Sequence, residues 1–259
     1  MIEEQKKKMD FIFDFANKNN AIVLSAGDQT DTPRDFLSFS YLFEAIGNLN
    51  TEFYCCLGQH DKYMRTKNPS SINLMIKLGV VNHLSKEPIN INEWNVYGCD
   101  FGDEVPEPET ENNILVIHES ITTKELAIKH VDFIDAKEFL IQSSKYDIIL
   151  CGDIHRRFIL EKDGRYILNS GPILRDEASQ YFIDYVPGFY FLKNGKIDFI
   201  EIPYNKDVIS RGHIELKENR DSNILDFDIK TETRNIDKII LSKIKEDKDS
   251  KELRSIIYG

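Results

Sequence analysis

Long apolar runs are missing from this 259-residue chain. No stretch approaches the ~20 residues that span a bilayer, and the start Met1-Ile2-Glu3-Glu4-Gln5-Lys6 carries no signal-peptide core. Cysteine is scarce: Cys55, Cys56, Cys99 and Cys151 are the full set, with no C-x-x-C pair. Three of them sit in apolar, strand-like runs. That excludes a disulfide framework or a zinc knuckle and reads as buried, reduced thiols in a cytoplasmic protein. Positive charge is in short supply too. Lys and Arg total 33 against 44 Asp and Glu, a net charge of −11, which argues against a surface built for broad, non-specific DNA binding. Repeats and low-complexity segments are absent. At 41% hydrophobic residues, the chain has enough apolar content for one large α/β domain with a small appendage.

What is present is a set of four apolar runs, each leading into metal-binding side-chain types. Ala21–Ala26 runs into Gly27-Asp28-Gln29-Thr30-Asp31, and Phe53–Leu57 into Gly58-Gln59-His60-Asp61. Ile114–Ile117 ends at His118, and Ile148–Cys151 at Gly152-Asp153-Ile154-His155. Carboxylate, imidazole and amide groups converging on one point are what hard and borderline divalent cations require. In α/β sheets the loops at the carboxyl ends of strands are where such groups converge. Basic residues follow these segments: Arg34 after the first, Lys62, Arg65 and Lys67 after the second, Arg156 and Arg157 after the fourth. They read as a local positive rim for a phosphate-bearing substrate on an acidic body, against the plainer alternative of solvated loop charge.

Periodicity predicts helices over about 3–18, 35–47, 70–78 and 135–144, between strands at the four runs. Short strands follow at about 158–162, 165–169, 189–193 and 197–202. Lys162-Asp163-Gly164-Arg165 and Lys193-Asn194-Gly195-Lys196 are hairpin-turn sequences. Pro106-Glu107-Pro108-Glu109 reads as an exposed loop. The βαβ alternation followed by a meander implies mixed sheets with flanking helices. From about residue 206 the composition shifts to a small α+β unit, with a strand near 223–229 and helices near 235–246 and 250–258. The domains expected are therefore 1–205 and 206–259. His83, His130 and His213 match no motif and read as surface or structural residues.

In order, G-D-x-x-D, G-Q-H-D, a lone strand-end His and G-D-x-H resemble the calcineurin-like metallophosphoesterase superfamily, and within it most nearly the SbcD-type DNA-repair exonucleases and their phage relatives. The likeness covers roughly residues 5–205. It implies a four-layer αββα sandwich of mixed sheets. It also implies a metal-dependent phosphoester hydrolase, with a DNA exonuclease or endonuclease as the leading reading. Asp28 would bridge two metal ions. Gln59, at the family's Asn position, would be a ligand, His118 and Asp153 would bind the second metal, and His155 the first. His60 would face the scissile phosphate as general acid, with Asp31 helping to hold it. Arg156 and Arg175, the latter after Asn169-Ser170-Gly171-Pro172, would lie on the substrate side. Asp where the family has His exchanges nitrogen for charged oxygen and favours Mn²⁺ or Mg²⁺ over Zn²⁺.

The likeness departs in one place. The family opens with a strand ending in D-x-H, and no D-x-H precedes Asp28. The first metal would keep only Asp28 and His155, so one of the two sites is expected to be vacant or weak, and an unpaired sheet edge is expected within the core. The missing strand is expected upstream, or on a separate chain or exon; a degenerate homologue is the third explanation. The family further implies DNA as substrate and an SMC-like ATPase partner, and no membrane. The rival functions are a phosphodiesterase or phosphatase for small molecules or proteins, and a non-catalytic subunit with an incomplete dinuclear site.

Overall fold

The computed structural model describes residues 2–62, 70–126, 132–174 and 180–206. The chain divides into two compact units, Met1–Asp176 with Asp184–Lys206, and Glu177–Ile183 with Asp207–Gly259. Of the second unit only 180–183 are described, within the short helix α5 (Gln180–Asp184). The elements expected beyond residue 206 lie outside the described residues.

The first unit starts with helix α1 (Ile2–Asn19), strand β1 (Val23–Ser25), helix α2 (Phe36–Gly47), strand β2 (Phe53–Cys55), helix α3 (Ser71–Lys77) and strand β3 (Asn82–His83). β1, β2 and β3 form a parallel three-stranded sheet in that order. Next come β4 (Ile89–Ile91), β5 (Trp94–Cys99), β6 (Asn113–Ile117), the short parallel pair β7 (Ile121–Thr122) and β8 (Ile134–Asp135), and helix α4 (Ala136–Gln142). After these come β9 (Ile148–Cys151), β10 (Phe158–Lys162) and β11 (Arg165–Asn169). A second, mixed sheet has the order β10-β11-β9-β6-β5-β4. Strands β12 (Gly188–Lys193) and β13 (Lys196–Glu201) make a separate antiparallel hairpin.

Period-two alternation along the strands explains the layering, because successive side chains leave opposite faces. On β2, Phe53 and Cys55 join Met9, Phe13, Leu42, Ile46, Ile72 and Met75 under α1, α2 and α3. Tyr54 and the following Cys56 face the other way, into a core shared with Ile114 and Val116 of β6 and Ile148 of β9. The alternate residues of those strands, Leu115, Ile117, Ile149 and Cys151, pack on Phe139 and Leu140 of α4. Helix, sheet, sheet, helix is the αββα sandwich that the family resemblance implied. All four cysteines are free and buried, and burial pushes their thiols up from the ordinary value, consistent with small core residues.

Local chemistry fixes the element ends near the site. Asp35 caps α2, its carboxylate accepting from Leu37 N and Ser38 N, and Ser70 caps α3, each worth about 1 kcal/mol. Both expected hairpins form, with Asp163 and Gly164, then Asn194 and Gly195, at positive φ, as primed turns demand. The Pro106–Glu109 loop differs from expectation: Pro106 and Pro108 are buried, and Tyr146 Oη donates to Pro106 O at 2.8 Å. Among the described residues no helix is long and apolar enough to cross a membrane.

Candidate metal centre

β1, β2, β6 and β9 end at the same edge of the sandwich, so the loop after each brings its motif there. β1 and β2 belong to one sheet and β6 and β9 to the other, and the candidate pocket therefore draws on both. His118 follows β6, 2% exposed. Its Nδ1 lies 2.5 Å from Ala26 O; because a carbonyl only accepts, Nδ1 carries the proton and Nε2 is left with its lone pair. Nε2 lies 3.3 Å from Asp28 Oδ2 and 3.8 Å from Asp153 Oδ1. Gln59 Nε2 donates to Asp153 Oδ1 at 2.8 Å. Asp28, Gln59, His118 and Asp153, distant in sequence, thus share one pocket.

Asp28 and Asp153 sit at φ 51° and 75°. Asp and Asn adopt this left-handed backbone more readily than other non-glycine residues. Asp28 also accepts the His60 backbone N–H through Oδ1 at 3.0 Å. Burial opposes ionisation of Asp28, but the His118 imidazole and the His60 N–H outweigh it, holding the carboxyl below its usual range. For His118, burial opposes the charged form, and Asp28 more than compensates. Gly27 and Gly58 make the approach possible. A Cβ on Gly27 would strike His118 Nδ1, and one on Gly58 would strike Asp28 Oδ1.

Three buried side-chain polar atoms among the described residues lack a hydrogen-bond partner: Gln59 Oε1, His118 Nε2 and Thr122 Oγ1. Two of the three belong to pocket residues, and both are of the amide-oxygen and imidazole-nitrogen types that ligate divalent cations. Buried polar groups are otherwise almost always satisfied. Two donors each about 2.1 Å from a common ion, at right angles, lie about 3 Å apart, close to the His118–Asp28 separation. Imidazole nitrogen and the Asp28 carboxylate are thus spaced as two ligands of one divalent cation would be, with Asp153 and Gln59 beside them. The contacts are pairwise: among the described residues no group of three or more His, Cys, Asp or Glu side chains is placed to hold a metal ion.

The other site residues anticipated from sequence are placed differently. His60 is exposed, and its Nδ1 meets Asp31 at 2.7 Å through the backbone carbonyl rather than the carboxylate. His155 is exposed, and Arg156 Nη1 donates to its carbonyl; no contact between its ring and the pocket is observed among the described residues. Arg175, Arg65, Lys67, His130 and His213 lie outside the described residues. Two members of the expected rim serve the fold instead. Lys62 Nζ donates to Phe101 O at 2.6 Å. Arg157 donates to Val186 O and lies 4.1 Å over the Phe199 ring. His83 is structural, its Nε2 being 3.0 Å from Asp100 Oδ1.

Two contributors escaped the sequence reading. Ser120 Oγ donates to Asp153 Oδ2, steadying that carboxylate from the second sheet. Asp61, fully buried, accepts Gln29 N at 2.9 Å through one oxygen and Gly58 N at 3.0 Å through the other, tying the first two motif loops together. Burial raises the Asp61 pKa to about 6, with the Asp28 charge adding to the rise and the two N–H groups opposing it. The last Asp of G-Q-H-D was the available signal. Asp61→Ala orphans two buried N–H groups, each costing about 1–3 kcal/mol, whereas Asp61→Asn keeps one acceptor. Thermal denaturation is expected to show a larger Tm loss for Ala than for Asn; equal Tm values would mean that the two N–H bonds hold nothing.

Residues 3–157 match the family described as Metallophos, calcineurin-like phosphoesterase. The chain belongs to that family. The matched span is more than half of the chain and contains every pocket residue of this phosphoesterase. No curated protein matches it. Among solved structures it is similar to a novel archaeal phosphodiesterase, at 16% identity and a TM-score of 0.45, over 77% of this chain and 93% of that one. It is also similar to the TT1561 protein of Thermus thermophilus, at 11% identity and a TM-score of 0.48, over 77% of this chain and 95% of that one. The phosphoesterase family uses divalent metals and hydrolyses phosphoesters, which is the chemistry that the pocket's donor set suits.

Proposed function

We propose that this phosphoesterase is a nuclease of the SbcD type, acting on DNA ends with Mn²⁺ and working beside an SMC-like ATPase. The observation that carries the metal assignment is the pair of orphaned buried ligand atoms, Gln59 Oε1 and His118 Nε2, beside two carboxylates. Asp28, Gln59, His118 and Asp153 would hold the cation, and the oxygen-rich set favours Mn²⁺ or Mg²⁺. Bound there, a divalent ion supplies Lewis-acid chemistry at phosphoryl oxygen and water.

The chain's own groups provide the remainder. His60 Nδ1 is held by Asp31 O, which leaves Nε2 as the free ring position. Exposed beside Asp28, to which its backbone N–H donates, His60 would donate a proton to a departing alkoxide, a general-acid role worth ~10²–10⁴-fold. Arg156 is close enough in sequence to the fourth motif to face a phosphate. The exposed His155 supports a site that holds its cation mainly through the other four residues.

His60→Ala is expected to cut Mn²⁺-stimulated cleavage of linear duplex DNA by about 100-fold or more while the metal content per chain stays unchanged. Equal loss of metal would make His60 a ligand and remove the general-acid role. One observation favours a second reading: with a net charge of −11 and with Lys62 and Arg157 engaged on carbonyls, the body suits a small phosphodiester better than a long polyanion. Hydrolysis of bis-p-nitrophenyl phosphate with no action on any DNA would decide for it.

A further inference from the structure

A fifth strand delivers side chains to the rim where the four motifs meet. β5 runs parallel to β6 with Cys99 level with Ile117, as Ile117 is level with Cys151 of β9. The carboxyl end of β5 therefore lies beside theirs, and His118 N donates to Cys99 O at 3.1 Å. The chain then turns tightly. Asp103 N donates to Asp100 O at 2.9 Å across Phe101 and Gly102, and Gly102 has a φ of 78°, as the third residue of a type II turn requires.

This turn is fastened to both flanks of the second motif. Leu57 N donates to the buried Asp100 carboxylate at 2.8 Å, and Phe101 N donates back to Leu57 O at 2.8 Å. Beyond Gly58-Gln59-His60-Asp61, Lys62 Nζ donates to Phe101 O at 2.6 Å. Both backbone polar groups of Phe101 are thus held by the residues that bracket the motif. Its ring lies against the His118 imidazole, with centroids 6.2 Å apart and planes at 74°, yet it stays 38% exposed. The exposed rings of Phe36 and Phe43 stand on α2 and pack along Phe39 instead. Among the described residues Phe101 is the exposed phenyl in ring contact with a pocket side chain.

An apolar ring fixed at the edge of a polar pocket gains when a flat apolar group covers it. The basic residues nearby offer less to a ligand, since Lys62 and Arg157 are engaged on carbonyls. We propose that Phe101 is the platform on which the substrate's planar ring stacks, so that this phosphoesterase selects phosphodiesters carrying a nucleobase. This inference rests on the phosphoester reading of the pocket and names the group that accompanies the phosphate. Stacking of this kind is tolerant of base identity, because every base has a π-face. A strand end and a small nucleotide carry the same chemistry.

The test uses the full chain with Mg²⁺ and two ligands that share a phosphate: thymidine 5′-monophosphate, which has a base, and ribose 5-phosphate, which has none. Calorimetric titration of the unaltered chain is expected to show at least about fivefold tighter binding of thymidine monophosphate, the lower end of what base stacking contributes. Phe101→Ala is expected to bring the two affinities to within about twofold of each other, and Phe101→Trp to retain the preference. The indole introduced by Phe101→Trp also reports the contact itself: its emission is quenched by thymidine monophosphate and not by ribose 5-phosphate. Trp94, the single natural tryptophan, begins β5 at its far end and supplies the baseline in the unaltered chain. If the ring merely shields His118, Phe101→Ala weakens both ligands equally and the preference persists, which would overturn the proposal. Equal binding of the two ligands by the unaltered chain, or no binding of thymidine monophosphate, would overturn it as well. An oligothymidylate separates the sources: tighter binding than the monophosphate assigns a strand, equal binding a small nucleotide, and the platform stands in both. Unchanged affinity of both ligands in Asp28→Asn would count against the metal pocket alone, because the preference between them judges Phe101 by itself.

Discussion

Asp28→Asn is expected to bring metal-stimulated phosphodiester hydrolysis to background and to weaken Mn²⁺ binding by at least about 100-fold. Changes merely to groups supporting a metal ligand cost ~10–100-fold, and Asp28 is itself a proposed ligand, 3.3 Å from His118 Nε2. The substitution is clean because Asn tolerates the φ of 51° that Asp28 adopts. An amide oxygen can still accept the His60 backbone N–H, so the second motif loop stays in place. What disappears is the charge opposite His118, and with it the group that raises the His118 pKa. Calorimetric titration with Mn²⁺ and hydrolysis of bis-p-nitrophenyl phosphate measure the two effects. Unchanged Mn²⁺ affinity would show that the cation is held elsewhere.

Gly58→Ala tests the same pocket through shape alone. Gly58 does not occupy left-handed backbone, so its need for glycine comes from crowding: the added methyl would strike Asp28 Oδ1 and lie 2.8 Å from Asp28 N. Neither atom has freedom to retreat, because Asp28 is tied to His60 N and Gly58 N is bound to Asp61. Overpacking of this kind costs about 1–3 kcal/mol, or about 3–10 °C in Tm for a chain of this size. The displaced carboxylate should also lower Mn²⁺ affinity. Gly47→Ala is the control: its Cβ would meet nothing within 4 Å, and it ends helix α2, so little change is expected. Matching behaviour of the two variants would show that the pocket tolerates a methyl group and is looser than its distances indicate.

The strands and their order were legible because alternation and turn chemistry are local. Residues 53–57 alternate Phe, Cys and Leu against Tyr and Cys, and Asp163-Gly164 and Asn194-Gly195 leave little choice of turn. The motif residues were legible for the same reason, each standing immediately after such a run. Pairing across the fold was not. Nothing local separates β1 and β2 into one sheet and β6 and β9 into another, and nothing in G-Q-H-D shows that Asp61 grips two backbone N–H groups of different loops. Asp31 does meet His60, but through its backbone carbonyl, because a side-chain pattern is silent about which carbonyl a loop presents. Arg157 and Lys62 resembled a phosphate-binding rim in sequence, but their long stems reach carbonyls that only the folded chain brings near. His155 was assigned from its place in the fourth motif of the family resemblance, and it is exposed.

Because Asp28 and Gln59 hang from one sheet while His118 and Asp153 hang from the other, a cation seated among them would act as a rivet through the sandwich. Sliding either sheet would then require letting go of the ion. Occupancy and heat resistance become two readings of one equilibrium, with a hundredfold excess of ion over its Kd adding about 2.7 kcal/mol to the folded state. Starvation for metal would therefore loosen the architecture as well as silence the chemistry.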